Sequence, residues 1–150
     1  MSAFFNQTCE YAIRAMMEVA RRPQGEYVLA KDLADKLDIP HHYLSKILQQ
    51  LVRSRILEST RGRLGGFRLM RKPESILLLD LVMPFEDVQK TEECVLGEAK
   101  CSDATACPLH EFWKSVRSRY EEQLHTKTLA EFAKFERPIV RKPKREAAKS

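Results

Sequence analysis

Apolar side chains recur at helical spacing in three segments near the start of the chain. In residues 7–21 they return every three or four positions and are followed by Pro23 and Gly25, which predicts an amphipathic helix. Residues 30–37 and 41–54 show the same spacing, and Pro40 predicts a turn between them because proline is tolerated only in the first turn of a helix. Two short helices joined by a tight turn are typical of a helix-turn-helix. The polar outer face of the second helix carries His42, Ser45, Lys46, Gln49 and Arg53.

Two short strand patterns, at residues 56–59 and 67–70, flank a glycine-rich segment. Its glycines at 62, 65 and 66 predict a hairpin tip, because glycine adopts backbone angles that other residues avoid. Residues 27–29 form a further short strand pattern. The glycine-rich segment lacks the Lys-Ser or Lys-Thr ending of a phosphate-binding P-loop and begins no helix. A hairpin directly after a helix-turn-helix is therefore interpreted as a wing.

The C-terminal half alternates helical patterns with a polar loop. Residues 75–87 predict an apolar helix that Pro84 should end or kink, and residues 88–106 predict a loop that carries two cysteines. Cys107-Pro108 is expected to begin a long helix, and residues 129–135 form a further short helical segment. The long helix has an apolar stripe too large to face solvent, which favours a homodimer. The stripe consists of Leu109, Phe112, Trp113, Val116, Tyr120 and Leu124.

These elements predict a mainly α fold with a small β-wing: a winged helix-turn-helix plus a long C-terminal dimerisation helix. We place the DNA-binding domain at residues 1–72 and the cysteine sensor loop with the dimerisation helix at residues 73–136. Residues 137–150 are basic and lack apolar periodicity, so we expect a disordered tail that contacts phosphates non-specifically.

The charge of the chain is unevenly distributed. The net charge is +5, but residues 40–72 hold eight basic and one acidic side chain, whereas residues 73–136 hold seven basic and thirteen acidic ones. A cationic segment of this density indicates binding to double-stranded DNA, although a solvated basic face would have the same composition. The sequence shows no secretory signal and no run of about 20 apolar residues, so we expect a cytoplasmic protein without membrane contact.

Three of the four cysteines lie close together, at Cys94, Cys101 and Cys107. In a reducing compartment such a group indicates metal or redox chemistry rather than disulfides. The wide spacing favours an iron–sulfur cluster over zinc, which more often uses tight C-x2-C pairs. Cys107 is expected at the N-cap of the long helix, with His110 reaching back toward it. Cys9 is interpreted as a small buried hydrophobe.

Several motifs together resemble the IscR/NsrR type of bacterial winged-helix regulators over residues 4–135. In the DNA-binding half the matching motifs are Glu10-Tyr11-Ala12, residues 43–51 and residues 61–69. In the sensor half they are Cys94, Cys101 and Cys107-Pro108-Leu109-His110 in that order. Pro84 departs from the pattern, since relatives keep a helix-compatible residue there, so the path from the DNA-binding half into the sensor loop is expected to differ.

The resemblance implies a homodimeric transcription regulator, most simply a repressor, whose DNA affinity depends on a [2Fe-2S] or [4Fe-4S] cluster that senses iron, redox or nitric oxide status. Its cluster ligands would be Cys94, Cys101 and Cys107. The fourth ligand is open among His110 of the same chain, Glu10 of the partner chain and, as the least favoured choice, Cys9. Arg61 would enter the minor groove. The expected DNA-binding residues are His42, Tyr43, Ser45, Lys46, Gln49, Arg61, Gly62 and Arg63.

Three alternatives remain open on the sequence. The first is a regulator without a cluster, in which a Cys3His zinc site or a metal-free thiol switch takes its place. The second is an RNA-binding Cys3His finger protein, against which the glycine-rich wing and the cysteine spacing argue. The third is an enzyme with a nucleophilic cysteine, but beyond His110 no base and acid set is recognisable, so we expect no enzymatic activity.

Overall fold

The first predicted helix is α1, Gln7–Ala20, in a computed structural model that describes residues 4–63, 65–97 and 100–135. The side chain of Asn6 caps it by accepting a hydrogen bond from the backbone N–H of Cys9, at 2.8 Å. Its inner face is fully buried at Ala12 and Met16. The expected tail at 137–150 lies outside the described residues, and so does Leu64.

The helix-turn-helix forms where the periodicity predicted it. Helix α2 is Ala30–Leu37 and helix α3 is His41–Arg53. Between them Asp38 adopts a left-handed conformation, with φ 52° and ψ 48°, and Ile39 is buried. Pro40 precedes the first helical residue of α3. The inner face of α3 packs into the core through Leu44, Ile47, Leu48 and Leu51.

The wing is an antiparallel pair, β1 (Leu57–Thr60) and β2 (Gly66–Leu69), in which Leu57 lies opposite Leu69. The strand expected at residues 27–29 is reduced to a single bridge, in which the backbones of Val28 and Phe67 exchange two hydrogen bonds of 2.8 Å. This bridge explains Gly66, since a Cβ there would lie 2.4 Å from the carbonyl oxygen of Val28.

The helix expected at 75–87 is much shorter. Helix α4 is Leu78–Val82, and a 3-10 turn, Pro73–Ser75, precedes it. The segment before α4 is held extended, because Ile76 and Leu78 exchange backbone hydrogen bonds with Leu129 and Lys127. After Val82 the chain turns through Pro84, whose ring is incompatible with a continuing helix.

Helices α5 (His110–Thr126) and α6 (Leu129–Ala133) complete the fold. The expected start of the long helix at Cys107 is wrong, because Leu109 is the cap and Cys107 lies in the preceding turn. The carbonyl of Cys107 accepts the backbone N–H of His110 at 2.9 Å, which closes that turn. The sensor loop between α4 and α5 contains two 3-10 turns, Val88–Glu92 and Asp103–Thr105.

Candidate DNA interface and metal centre

The outer face of α3 presents polar side chains to solvent. His42, Lys46 and Gln49 are exposed and Ser45 is half-buried, on the side of the helix opposite the buried leucines. Within the described part of the chain, Lys46 has no acidic partner. A helix with a buried apolar face and a free polar face is the element that enters the major groove in helix-turn-helix proteins.

Tyr43 occupies a different position from the other predicted DNA-binding residues. Its ring is half-buried and meets the ring of Tyr11 edge to face, with an interplanar angle of 86°. Its hydroxyl group forms a hydrogen bond with the hydroxyl group of Thr8. Tyr43 therefore connects the recognition helix α3 with α1, and it does so independently of any contribution to DNA binding.

The tip of the wing is basic and exposed. Arg61, Gly62 and Arg63 are exposed, and the two arginines have no acidic partner among the described residues. The turn is closed by the backbone N–H of Gly65, which donates to the carbonyl of Gly62 at 3.0 Å. A Cβ on Gly65 would lie 2.5 Å from the carbonyl oxygen of Thr60, so the turn leaves no space for a side chain.

Arg68 at the base of the wing was not singled out by sequence reasoning. Its guanidinium forms an ion pair with Glu58, lies 4.4 Å from the centroid of the Tyr27 ring and donates to the carbonyl of Gly25. Arg68 thus braces the wing and is not free for DNA. The signal that could have predicted this ion pair is the register of the hairpin, because it places Arg68 directly opposite the acidic side chain of Glu58.

The three clustered cysteines are half-buried free thiols on the sensor loop. The carbonyl of Cys94 accepts the N–H of Gly97 at 2.8 Å, and the N–H of Cys101 donates to the carbonyl of Glu92 at 3.3 Å. Residues 98 and 99, between these two cysteines, lie outside the described residues. The loop therefore presents its three thiols at separate points along the backbone.

His110 is the buried polar side chain of this region, with 5% of its surface exposed. Its Nδ1 lies 3.1 Å from Sγ of Cys101, and its Nε2 lies 2.7 Å from Oδ1 of Asp103. The expected contact between His110 and Cys107 is replaced by the contact with Cys101. The reason is the helix boundary: α5 begins at His110, so Cys107 and His110 do not occupy the N-cap and third positions of one helix.

Asp103 completes a chain of three polar groups. The hydrogen bond with His110 and the charge of Lys114, whose Nζ is 3.5 Å away, hold the pKa of the Asp103 carboxyl below its ordinary value. Among the described residues, the group of three ligand atoms lying within 4.8 Å of one another comprises Asp103, His110 and Glu111. The sulfur atoms of the three cysteines do not converge in this way.

Cys9 and Glu10 lie on α1, away from this group. Cys9 is fully buried, and its burial, together with the charges of Glu86 and Glu10, raises the pKa of its thiol to about 12. A thiol in that environment stays protonated, in line with its interpretation as a small buried hydrophobe. Glu10 is half-buried and does not join Asp103, His110 and Glu111.

Trp113 fastens the sensor loop to α5. Its indole Nε1 donates to the carbonyl of Glu93, the residue before Cys94, at 3.0 Å. Sequence reasoning had placed Trp113 in the apolar stripe only, because a pattern of apolar spacing does not report the donor on an indole ring.

The predicted apolar stripe divides into two parts. Leu109 and Phe112 are exposed, with 44% and 66% of their surfaces accessible. Tyr120 and Leu124 instead line an apolar groove of about 390 Å³ within the chain, together with Phe4 and Phe5 at the N-terminal end of the structure. The part of the stripe left open thus lies at the cap and in the first turn of α5.

Comparison with known proteins decides the family. A family model described as Rrf2, iron-dependent transcriptional regulator, matches residues 5–134. This chain belongs to the Rrf2 family. As an Rrf2 protein it is a DNA-binding transcriptional regulator, and the predicted resemblance and winged-helix fold class are confirmed.

Individual relatives agree with this assignment. The transcriptional regulator IscR of Vibrio campbellii is 29% identical over 124 residues, which are 83% of this chain and 73% of the relative. NsrR of Bacillus licheniformis is 31% identical over 121 residues, which are 80% of this chain and 85% of the relative. The solved structure of CymR, the global cysteine regulator of B. subtilis, superposes with a TM-score of 0.72 at 23% identity and covers 86% of this chain and 95% of its own.

IscR and NsrR are both transcriptional regulators by name. Each helix within the described ranges is too short or too polar to cross a bilayer.

Proposed function

We propose that this Rrf2 protein is a homodimeric repressor whose affinity for double-stranded DNA is controlled by an iron–sulfur cluster, held by Cys94, Cys101, Cys107 and His110. The observation that carries the proposal is the contact between Nδ1 of buried His110 and Sγ of Cys101, at 3.1 Å. An imidazole and a thiol in contact, on a segment that carries two more half-buried thiols, form a donor set suited to iron.

The arrangement of the donors favours a cluster over a single zinc ion. A structural zinc ion draws its four ligands to one point, whereas the ligands of a cluster bind separate iron atoms. The sulfur atoms of Cys94, Cys101 and Cys107 do not all lie within 4.8 Å of one another. The names of the relatives IscR and NsrR support the same choice.

A bound cluster would supply a redox-sensitive link between the sensor loop and the start of α5. The chain's own contacts connect the segment directly after α4, which precedes the sensor loop, with the recognition helix. The side chain of Asn6 donates to the carbonyl of Phe85 at 3.0 Å and caps α1, and Tyr43 on α3 bonds to Thr8 on α1. A shift of the segment after α4 is therefore felt at α3 through α1.

On DNA, Lys46 and Gln49 would read the major groove and Arg61 the minor groove. The outer face of α3 and the tip of the wing are both exposed and carry basic side chains. The acidic balance of residues 73–136 keeps the sensor region off the phosphates. His42, Ser45, Gly62 and Arg63 complete the proposed DNA surface.

The direct test is anaerobic purification followed by an absorption spectrum, iron and sulfide analysis, and DNA footprinting of the loaded and cluster-free forms. We expect a brown protein with charge-transfer bands and a difference in operator affinity between the two forms. A colourless protein with one zinc ion per chain would contradict the cluster, and equal affinities would contradict control by it.

A thiol switch is the second candidate, and the same contact favours it. In the cluster-free protein a histidine 3.1 Å from Cys101 is placed to take the proton of its thiol. In that case the metal-free protein itself would change its DNA affinity on mild oxidation by peroxide. Replacing Cys101 by Ser would abolish that response, and replacing Cys9 by Ser would not.

A further inference from the structure

Asp103 contacts Nε2 of His110, the ring nitrogen that does not face Cys101. We infer that Asp103 is the positioning residue that fixes the ring of His110 for metal ligation through Nδ1, an inference that rests on the proposed cluster. Histidines that bind metals commonly donate their second N–H to a carboxylate, which sets the tautomer and the direction of the ring. Asp103 supplies that carboxylate here.

The hydrogen-bond geometry assigns the two ring nitrogens. An ionised carboxylate only accepts, so the 2.7 Å contact with Oδ1 of Asp103 places a hydrogen atom on Nε2 of His110. In the neutral imidazole the lone pair is then on Nδ1, and Nδ1 is the nitrogen that lies 3.1 Å from Sγ of Cys101. The free lone pair of His110 therefore faces the thiol side.

The neighbourhood keeps both partners in place. The side chain of His110 is 6% exposed, so the ring has little room to turn, whereas that of Asp103 is 79% exposed and depends on local contacts. Asp103 begins a 3-10 turn braced by a 2.9 Å hydrogen bond between the hydroxyl groups of Ser102 and Thr105. Nζ of Lys114 lies 3.5 Å from the same Asp103 oxygen and holds it from the α5 side.

A competing interpretation uses the same residues as direct ligands. Asp103, His110 and Glu111 have ligand atoms within 4.8 Å of one another, a set that one divalent cation would use directly. In that case the ring nitrogen facing Asp103, Nε2, would bind the cation. The Nε2 of His110 is already engaged by Asp103, and Glu111 is exposed and makes no hydrogen bond to the ring. The two interpretations differ in what they require of Glu111.

The experiment compares Asp103→Ala, Asp103→Asn and Glu111→Gln with the wild type after anaerobic reconstitution. Iron and sulfide per chain, the half-life of the absorption bands in air, and the nitrogen coupling of 15N-histidine in the reduced cluster by pulsed EPR are measured. We expect Asp103→Ala to shorten the half-life on the order of tenfold and to alter the coupling, because loss of such partners weakens metal binding 10–100-fold. Asp103→Asn, which keeps an acceptor oxygen, should lie between, and Glu111→Gln should match the wild type.

A double-variant comparison separates positioning from a general structural role. If Asp103 acts through His110, adding Asp103→Ala to His110→Ala should shorten the half-life no further. An additive loss in the double variant, or an unchanged half-life and coupling in Asp103→Ala, would overturn the inference. The direct cation site would be favoured instead by two results together. Glu111→Gln and Asp103→Ala would shorten the half-life equally, and a variant with Cys94, Cys101 and Cys107 replaced by Ser would still bind Zn²⁺. A wild type that takes up no cluster would instead refute the proposed function.

Discussion

The rings of Tyr11 and Tyr43 meet edge to face with their centroids 5.7 Å apart, and this contact couples α1 to the recognition helix. The Tyr43 hydroxyl adds a hydrogen bond to Thr8 one turn earlier on α1. Asn6 both caps α1 and donates a hydrogen bond to the carbonyl of Phe85, in the segment after α4. The orientation of α3 therefore depends on residues outside the helix-turn-helix.

Removing the Tyr43 hydroxyl tests this coupling. Tyr43→Phe keeps the ring and loses one hydrogen bond, which should lower the free energy of unfolding by ~1 kcal/mol. Thr8→Val removes the same bond from the α1 side and is the matched control in DNA titrations. If the hydroxyl only positions α3, the two variants lower operator affinity equally. A loss confined to Tyr43→Phe would mean that the hydroxyl itself contacts DNA.

Arg61 is expected to contribute to specific DNA affinity. Arg61→Ala should weaken operator binding by about 1–3 kcal/mol in a footprint titration, since a minor-groove arginine reads groove shape and potential. Arg71→Ala is the control, because Arg71 is already paired with Asp80 at 3.4 Å. Wild-type affinity in Arg61→Ala would show that the wing tip does not touch the operator.

Glu18 should make stability depend on pH. Burial works to raise the pKa of Glu18, but its hydrogen bond with Lys36 and the charges of Lys36 and Arg21 outweigh burial, so its pKa is lowered below the ordinary 4.5. A carboxyl group whose pKa is lower in the folded protein stabilises the fold at pH values above its pKa in the unfolded chain. This stabilisation disappears as the pH falls through the pKa of the group in the folded protein.

We therefore expect Glu18→Gln to lose ~1–2 kcal/mol of unfolding free energy at pH 7 and to approach the stability of the wild type in acid. This energy is kept small because solvent screens the half-exposed Lys36. Urea titrations at pH 7 and below pH 4 measure the difference. Glu26→Gln is the control, since its pair with Arg22 at 3.9 Å is exposed. A gap that stays constant with pH would contradict the assignment of this stabilisation to the charge of Glu18.

The open part of the α5 stripe is expected at the dimer interface. Phe112→Asp places a charge on the exposed turn and should shift the protein from dimer to monomer at micromolar concentration in light scattering. Ser118→Asp adds the same charge on a different face of α5 and should leave the dimer intact. A Phe112→Asp protein that remains dimeric would exclude this face of α5 from the interface.

The fourth cluster ligand is tested by comparing His110→Ala with Glu10→Ala. We expect the cluster spectrum and its lifetime in air to change in His110→Ala, because His110 already contacts Cys101. Glu10→Ala should behave as the wild type. The reverse outcome would assign the ligand to Glu10 of the partner chain and place the cluster between the two chains.

Helices α1 to α3 and the wing followed from sequence because each has a strong period and a clear stop. Helix α4 did not, since the side chains of Ile76 and Leu78 are apolar because they pack in the core. The backbone hydrogen bonds that hold the segment before α4 extended come from the segment after α5. Hydrophobic periodicity records only which side chains are apolar, and it does not indicate which backbone groups form hydrogen bonds with distant segments.

The candidate site was predictable in its residue types and less so in its contacts. Cys94, Cys101, Cys107 and His110 were identifiable from spacing and resemblance. The contact of His110 with Cys101 depended on where α5 begins, and helix boundaries shift by a residue or two with local turns. Asp103 was not singled out, because an aspartate in a polar loop looks like any solvated charge until its neighbour is placed.

The hydrogen bond from Trp113 to the carbonyl beside Cys94 gives the protein a built-in optical probe. Trp113 is the only tryptophan of the chain. All indole fluorescence of the unmodified protein therefore originates on α5 beside the sensor loop, and we expect rupture of this bond to change the emission wavelength. Stopped-flow fluorimetry can consequently test whether the loop moves on mixing with oxidant or nitric oxide, and unlabelled operator DNA can be present during the measurement.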